Sequence, residues 1–153
     1  MTKGQPERLG PRVAPMMTVS NLLHSKGQDI FCVETGTEIT EASKCMAYHY
    51  IGALLVIDQD GEPKGIVTER DIAFAVHKFG TEVCEMKVEA LMSPSIHTCT
   101  SETTIAEAVE IMVEHEIRHL PVKDGDLLKG LISMRDVMND RLVELELENK
   151  TLR

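Results

Sequence analysis

Gly65-Ile66-Val67-Thr68-Glu69-Arg70-Asp71-Ile72 reads as a small residue, a short apolar strand, a hydroxyl, one variable residue, then Arg-Asp opening an apolar helix. The same order returns as Gly130-Leu131-Ile132-Ser133-Met134-Arg135-Asp136-Val137. In both copies a hydroxyl and a carboxylate stand three residues apart where a strand hands over to a helix. Such a junction offers free backbone N–H groups and the positive end of a helix dipole to an anion. It also fits a capping box, which needs no ligand, and a capping hydroxyl can line a pocket as well. A duplicated junction suggests a duplicated pocket.

Working outward, the duplication extends well beyond the octapeptides. Ile39 and Ile105, Ala42 and Ala108, Met46 and Met112, and Ile51 and Ile117 are each 66 residues apart. Gly65 and Gly130, like Asp71 and Asp136, are 65 apart, so the second hairpin turn is one residue shorter. A unit of this length is near the lower limit for standing alone, so two copies are expected to pack together.

Each copy reads as a lead-in turn, then strand, helix, strand, strand, helix. Thr18 to Gly27 forms the first lead-in, with Ser20 as N-cap, Val19, Leu22 and Leu23 as anchors, and Gly27 as stop. Ile30–Val33 is the first strand. Thr37 or Thr40 caps a helix with Ile39, Ala42, Cys45 and Met46 on one face. Ala53–Ile57 is a continuous apolar run, as in a strand covered on both faces. The turn Asp58-Gln59-Asp60-Gly61 returns it to Gly65–Val67, and a helix from Asp71 to Phe79 places Ile72, Ala75, Val76 and Phe79 inward, ending at Gly80.

In the second copy, Val88–Met92 is the lead-in and Ser95–Thr98 the strand. Thr104–Glu114 is the helix, with Ile105, Ala108, Val109 and Met112 inward. Leu120–Val122 and Gly130–Ile132 form the second hairpin around Gly125. The last helix runs on, with Met138, Leu142, Leu145, Asn149 and Leu152 at heptad spacing. Two heptads are too few for a coiled coil alone. Either they extend a dimer interface, or Leu142 and Leu145 fold back on the domain. The division expected is a flexible tail over 1–17, repeats over 18–83 and 84–140, and a helical tail over 141–153.

Composition narrows the function. Charged residues make up 27% and apolar ones 42%, ordinary values for a globular chain. A net charge of −9 and 3% aromatics without Trp argue against a nucleic-acid binder. No apolar run reaches the ~18–20 residues that span a bilayer, and no secretory h-region is present. Cys32, Cys45, Cys84 and Cys99 have no metal-like spacing and are expected as reduced core residues in a cytoplasmic protein. Arg8 and Arg12, with Glu7 the only early acid, leave an organellar transit segment as the alternative. His115 and His119 straddle a helix-to-strand transition, so no metal site is expected there. His24, His49 and His77 read as surface residues, and Glu144, Glu146 and Glu148 as a solvated helix face. No nucleophile elbow, P-loop, zinc-protease motif or dinucleotide fingerprint occurs, so catalysis is not expected.

With Gly-Ile-Val-Thr-Glu-Arg-Asp-Ile and Gly-Leu-Ile-Ser-Met-Arg-Asp-Val closing two such repeats, residues 18–140 resemble the tandem CBS-domain (Bateman) module. Ile117-Arg118-His119-Leu120-Pro121-Val122 is similar to the family's second-strand motif, and His24-Ser25-Lys26-Gly27 to the opening of its stand-alone members. The resemblance implies an α/β fold of two pseudo-symmetric β-α-β-β-α repeats packed through their sheets, with a C-terminal helical extension. It also implies a cleft for AMP, ADP, ATP, NAD(H) or a related adenosyl compound as a regulatory ligand, with no catalytic cofactor.

Carried over residue by residue, one cleft would take its ribose and phosphate contacts from Ser133, Met134, Arg135, Asp136, Arg118 and His119. Its adenine wall would be Lys26, Phe31, Ile51 and Ala53. The other would pair Thr68, Arg70 and Asp71 with a wall of Ser93, Ile96, His97 and Ile117. An ionised carboxylate can accept from two vicinal ribose hydroxyls, and Arg gives planar phosphate recognition. Repeat one has Gly52-Ala53 where repeat two has Arg118-His119, so the clefts are not expected to be equivalent. The implied function is a ligand-sensing module, a homodimer acting on an unidentified protein partner, with no nucleic acid or membrane involved. A protein-interaction scaffold with vestigial pockets is the alternative.

Overall fold

The computed structural model describes residues 17–27, 29–94 and 96–152, with the backbone alone at 143 and 144. Residues 1–16 of the tail expected over 1–17, Ser95 and the Glu144 side chain therefore lie outside the described residues.

Repeat one consists of β1 (Cys32–Glu34), α2 (Ile39–His49), β2 (Ala53–Ile57), β3 (Pro63–Thr68) and α3 (Glu69–Phe79), preceded by α1 (Val19–Lys26). Repeat two consists of α4 (Ile105–Glu114), β4 (His119–Asp124), β5 (Leu127–Ser133) and the long α5 (Met134–Thr151). Two 3-10 turns, Gly80–Glu85 and Val88–Ala90, lead from the first repeat into the second. β1 pairs parallel with β2, β2 antiparallel with β3, and β4 antiparallel with β5.

Alternation along β2 explains why its apolar run is unbroken. Leu54 and Val56 join the core beneath α2 and α3, while Ala53 and Leu55, on the opposite face, are equally buried. In repeat two, Leu120 and Val122 enter the helix-side core, and His119 and Pro121 occupy the opposite face. These opposite faces belong to the boundary between the repeats. There Lys123 of β4 pairs with Glu62 beside β3 at 3.2 Å.

The lead-in segments are exchanged. Val19, Leu22 and Leu23 of α1 precede repeat one, yet they pack with Ala108, Met112, Leu120 and Ile132 of repeat two. Val83 and Val88, which precede repeat two, pack with Ile39, Leu54 and Val67 of repeat one. Backbone bridges mark the exchange symmetrically: Thr18 pairs with Thr104 at the start of α4, and Lys87 pairs with Glu38 at the start of α2.

Several expectations are corrected. Thr18 caps α1 rather than Ser20, because the Thr18 N–H donates to Asn21 Oδ1 and completes a box. Neither Thr37 nor Thr40 caps α2. Glu38 holds that position without a side-chain bond, while the two threonine hydroxyls donate to the carbonyls of Glu34 and Cys84. The first strand lies at Cys32–Glu34 instead of Ile30–Val33. Its counterpart in repeat two is no strand over 96–98. It reduces to one parallel bridge from Cys99 to Val122.

Of the four cysteines only Cys99 is buried. Cys45 is half-buried, Cys32 and Cys84 are exposed, and all four are free. Burial pushes the Cys99 thiol up to about 11, with Asp124 adding to the shift, so it stays protonated. Val76 and Phe79 of α3 are not inward but 52% and 38% exposed. Met138, Leu142 and Leu145 likewise stay exposed along α5, which excludes the folded-back alternative for this chain alone.

Two glycines of the duplicated motif permit the lead-ins to approach the strands. A Cβ on Gly65 would lie 2.7 Å from the Ser93 carbonyl and 2.6 Å from Met92 Sδ. On Gly130 it would meet only Leu23 Cδ2, at 2.6 Å, the tip of a side chain that can rotate. Gly65→Ala is therefore expected to cost about 1–3 kcal/mol and Gly130→Ala distinctly less, because backbone cannot step aside. Urea unfolding of the two variants checks this, and equal losses would contradict it.

Candidate functional site

Both motifs form closed capping boxes. Thr68 Oγ1 accepts from the Asp71 N–H at 3.2 Å, and Asp71 Oδ2 accepts from the Thr68 N–H at 2.9 Å. Ser133 Oγ accepts from the Asp136 N–H at 3.1 Å, and Asp136 Oδ2 accepts from the Ser133 N–H at 2.8 Å. The box fixes each carboxylate at the first turn of its helix, half-buried and beside the positive dipole end, with Oδ1 outside the box.

The preceding backbone is matched as well. Glu69 N–H donates to the Gly52 carbonyl and Met134 N–H to the Arg118 carbonyl, both at 2.9 Å. These bonds bring Gly52-Ala53 alongside the first motif and Arg118-His119 alongside the second. His119 also pairs in register with Ser133.

The surroundings of the two carboxylates differ. Lys26, expected on an adenine wall, extends from the end of α1 to Asp136. Its ammonium donates to Asp136 Oδ2 and to the Leu131 carbonyl, both at 2.5 Å. Among the described residues Asp71 has no ion-pair partner, and Arg70 of its own motif lies over the Phe74 ring, 5.5 Å from the centroid. Burial holds His119 below the ordinary histidine range. Asp136 opposes that shift, Lys26 reinforces it, and Glu69 and Arg118 act more weakly in opposite senses. His119, Asp136, Lys26, Arg118 and Glu69 thus form one electrostatic neighbourhood drawn from both repeats.

The remaining predicted residues divide between the two sides. Ser93 forms a reciprocal backbone bridge with Ile66, at 2.9 and 3.2 Å, two residues before Thr68. Ile96 and His97 follow it, and Ile117 packs on the repeat-two core. Phe31 and Ile51 pack on the repeat-one core, and Ala53 lies on the inter-repeat face of β2. The chain between Lys26 and Phe31 therefore passes from the second motif to the first sheet. No hydrogen bond or ion pair among the described residues joins Phe31, Ile51 or Ala53 to Asp136.

His49 and His115, which the sequence did not assign to either cleft, complete a second symmetric pair with two predicted wall residues. Phe31 lies tilted against His49 with ring centroids 4.3 Å apart, and His97 stacks on His115 at 3.6 Å. Both rings of the second pair are 66 residues beyond those of the first. Applying the repeat offset to these aromatic positions would have exposed the pattern. An apolar recess of about 300 Å³ between α2 and α3, lined by Ile72, Val76, Val83 and Cys84 among others, has none of the hydroxyl–carboxylate chemistry. Among the described residues no group of three or more His, Cys, Asp or Glu could hold a metal ion, and no helix is long and apolar enough to cross a membrane.

Comparison with known proteins agrees with this architecture. The CBS domain family matches twice, over residues 19–78 and 88–142, and the chain belongs to that family. An uncharacterized 17.7 kDa protein of Acidianus ambivalens is 35% identical over 71% of this chain, and the match spans 65% of that relative, just under two thirds of its length. The crystal structure of the CBS-domain protein ATU1752 from Agrobacterium tumefaciens superposes with a TM-score of 0.80 at 35% identity, covering 86% of this chain and 99% of that one. The CBS-domain pair of protein MJ0100, solved in complex with 5′-methylthioadenosine and S-adenosyl-L-methionine, shares the fold at a TM-score of 0.74 and 23% identity, over 86% of this chain and 99% of that one.

Proposed function

We propose that this chain is a regulatory module that binds an adenine nucleotide or related adenosyl compound in its clefts and thereby modulates a partner protein. The observation that carries the reading is the duplicated box with Oδ1 of each Asp outside it. At one copy the cations Lys26 and Arg118 stand near His119, and Arg135 precedes Asp136 in the motif. A ribose can bridge such a carboxylate through its 2′ and 3′ hydroxyls, while the phosphate meets the cations. The MJ0100 complexes give a family precedent for adenosyl ligands. Because the lead-ins are exchanged, a ligand touching both Lys26 and repeat one bears on how the repeats are held together. A differential affinity for two such arrangements is what linkage to a partner requires. We assign no catalytic role and a cytoplasmic location, in keeping with four free thiols.

Exposed apolar side chains favour self-association. Phe74, Val76, Met138, Leu142, Leu145 and Leu147 stand out on α3 and α5. We assign these to a homodimer interface. They equally support the second reading, a scaffold in which the pockets are vestigial.

Thermal melts with AMP, ATP and adenosine separate the readings. A ligand at 100 times its Kd adds about 2.7 kcal/mol and raises the melting point; no shift at millimolar ligand overturns sensing. The pH dependence has a definite sign. His119 is held neutral in the fold, so the unfolded chain binds the proton first and ligand-free stability declines as pH falls below about 6.5. A bound phosphate favours the imidazolium, so nucleotide binding takes up a proton and tightens as the pH falls. Calorimetry in buffers of different ionisation heat reads that uptake, and adenosine should show none.

A further inference from the structure

We infer that Lys26 is the specificity-determining residue that commits the Asp136 cleft to phosphate-bearing adenosyl ligands. The inference deepens the ligand-sensing reading and rests on it. It starts from a contact that the ribose role of Asp136 does not need. The box already holds Asp136 through the Ser133 N–H, as the matching box holds Asp71 with no cation. Lys26 adds a charged donor to the same Oδ2 at 2.5 Å and anchors it with a second bond to the Leu131 carbonyl.

The lysine is placed rather than wandering. It ends α1, whose Leu22 and Leu23 are 1% and 3% exposed in the repeat-two core, and its own side chain is only 28% exposed. An ammonium has three N–H donors, so two bonds leave one for a ligand. Asp136 Oδ1 takes part in neither the box nor the ion pair, so ribose recognition and the lysine coexist.

The effect is on charge. A bare carboxylate within a few ångströms of the ribose repels a 5′-phosphate, and an ammonium on that carboxylate cancels the repulsion. Arg118, in the same neighbourhood, then meets the phosphate without the Asp136 charge against it. The first cleft supplies the internal contrast. Asp71 has no ion-pair partner among the described residues, and the lead-in over residues 88–98 contains no Lys or Arg. Lys87, just before it, is spent on Glu38 at 3.5 Å.

The test is isothermal calorimetry of the full chain with AMP and with adenosine, comparing wild type, Lys26→Met and Lys26→Arg. Lys26→Met should weaken AMP about tenfold, equivalent to about 1.4 kcal/mol, and leave adenosine unchanged or tighter. Lys26→Arg should restore AMP. Unchanged AMP affinity in Lys26→Met overturns the inference, and so does a parallel loss of AMP and adenosine, which marks a structural role. Wild type that binds adenosine more tightly than AMP overturns the inference while leaving the ligand-sensing reading intact. Wild type that binds neither removes both.

Discussion

Asp136→Ala is expected to lower AMP affinity at the second cleft by about 100-fold or more, while the protein stays folded. A carboxylate that accepts from two ribose hydroxyls makes two charge-assisted bonds, each worth about 1.5–3 kcal/mol, and alanine makes neither. The structural cost is smaller. The Ser133 N–H loses its side-chain partner, a capping loss of about 0.5–2 kcal/mol. Lys26 loses a partly exposed ion pair whose solvent-screened contribution is about 1 kcal/mol at most.

Asp136→Asn separates these contributions. Its amide oxygen can still accept from the Ser133 N–H, but it has no charge for the ribose or for Lys26. Melts should thus group Asn with wild type, and calorimetry should group it with Ala. Asp71→Ala is the matching variant in the other box and should leave the second-site affinity in place. If both alanine variants bind AMP with wild-type stoichiometry and affinity, the boxes are caps and nothing more.

What could be read from the sequence follows from where each signal is local. The boxes were legible because hydroxyl, carboxylate and backbone partner all fall within four residues. The β2 strand was legible because Ala53–Ile57 is apolar throughout, and the stops at Gly27 and Gly80 because the chain breaks there. Ser20 is the cap its hydroxyl suggests, and only the bond from the Thr18 N–H to Asn21 Oδ1 moves the cap to Thr18.

Other features depend on distant partners. Lys26 meets a carboxylate 110 residues away, and no spacing encodes that. Apolar spacing marked Val76, Phe79 and Leu142 as inner positions, but not that all three stay exposed on this chain. The lost strand before α4 shows the limit of the repeat itself: equal offsets secure equal positions, not equal ladders. The paired rings are a signal of the repeat, legible only when Phe31 and His49 are set against His97 and His115, each 66 residues further on.

Leu22→Ala is expected to destabilise repeat two, although Leu22 precedes repeat one in the chain. Leu22 is 1% exposed and packs among Ala108, Met112, Leu120, Ile132 and Val137. Removing its isobutyl end should cost about 2–5 kcal/mol, a large share of the 5–15 kcal/mol typical of a domain. If α1 belongs energetically to repeat two, amide exchange in β4, β5 and α4 should accelerate before that in β1–β3. Val88→Ala, in the reciprocal lead-in, should reverse the order by loosening repeat one, where Val88 is fully buried. Leu22→Ala that first loosens β1–β3 would contradict the exchanged packing. The same variant bears on the cleft, because Leu22 and Leu23 seat the helix that carries Lys26 to Asp136. Once α1 lifts, the ammonium leaves with it, so AMP affinity should fall under conditions where the bulk of the chain is still folded. An exchanged lead-in thereby links the stability of one repeat to the charge of the cleft it shares with the other.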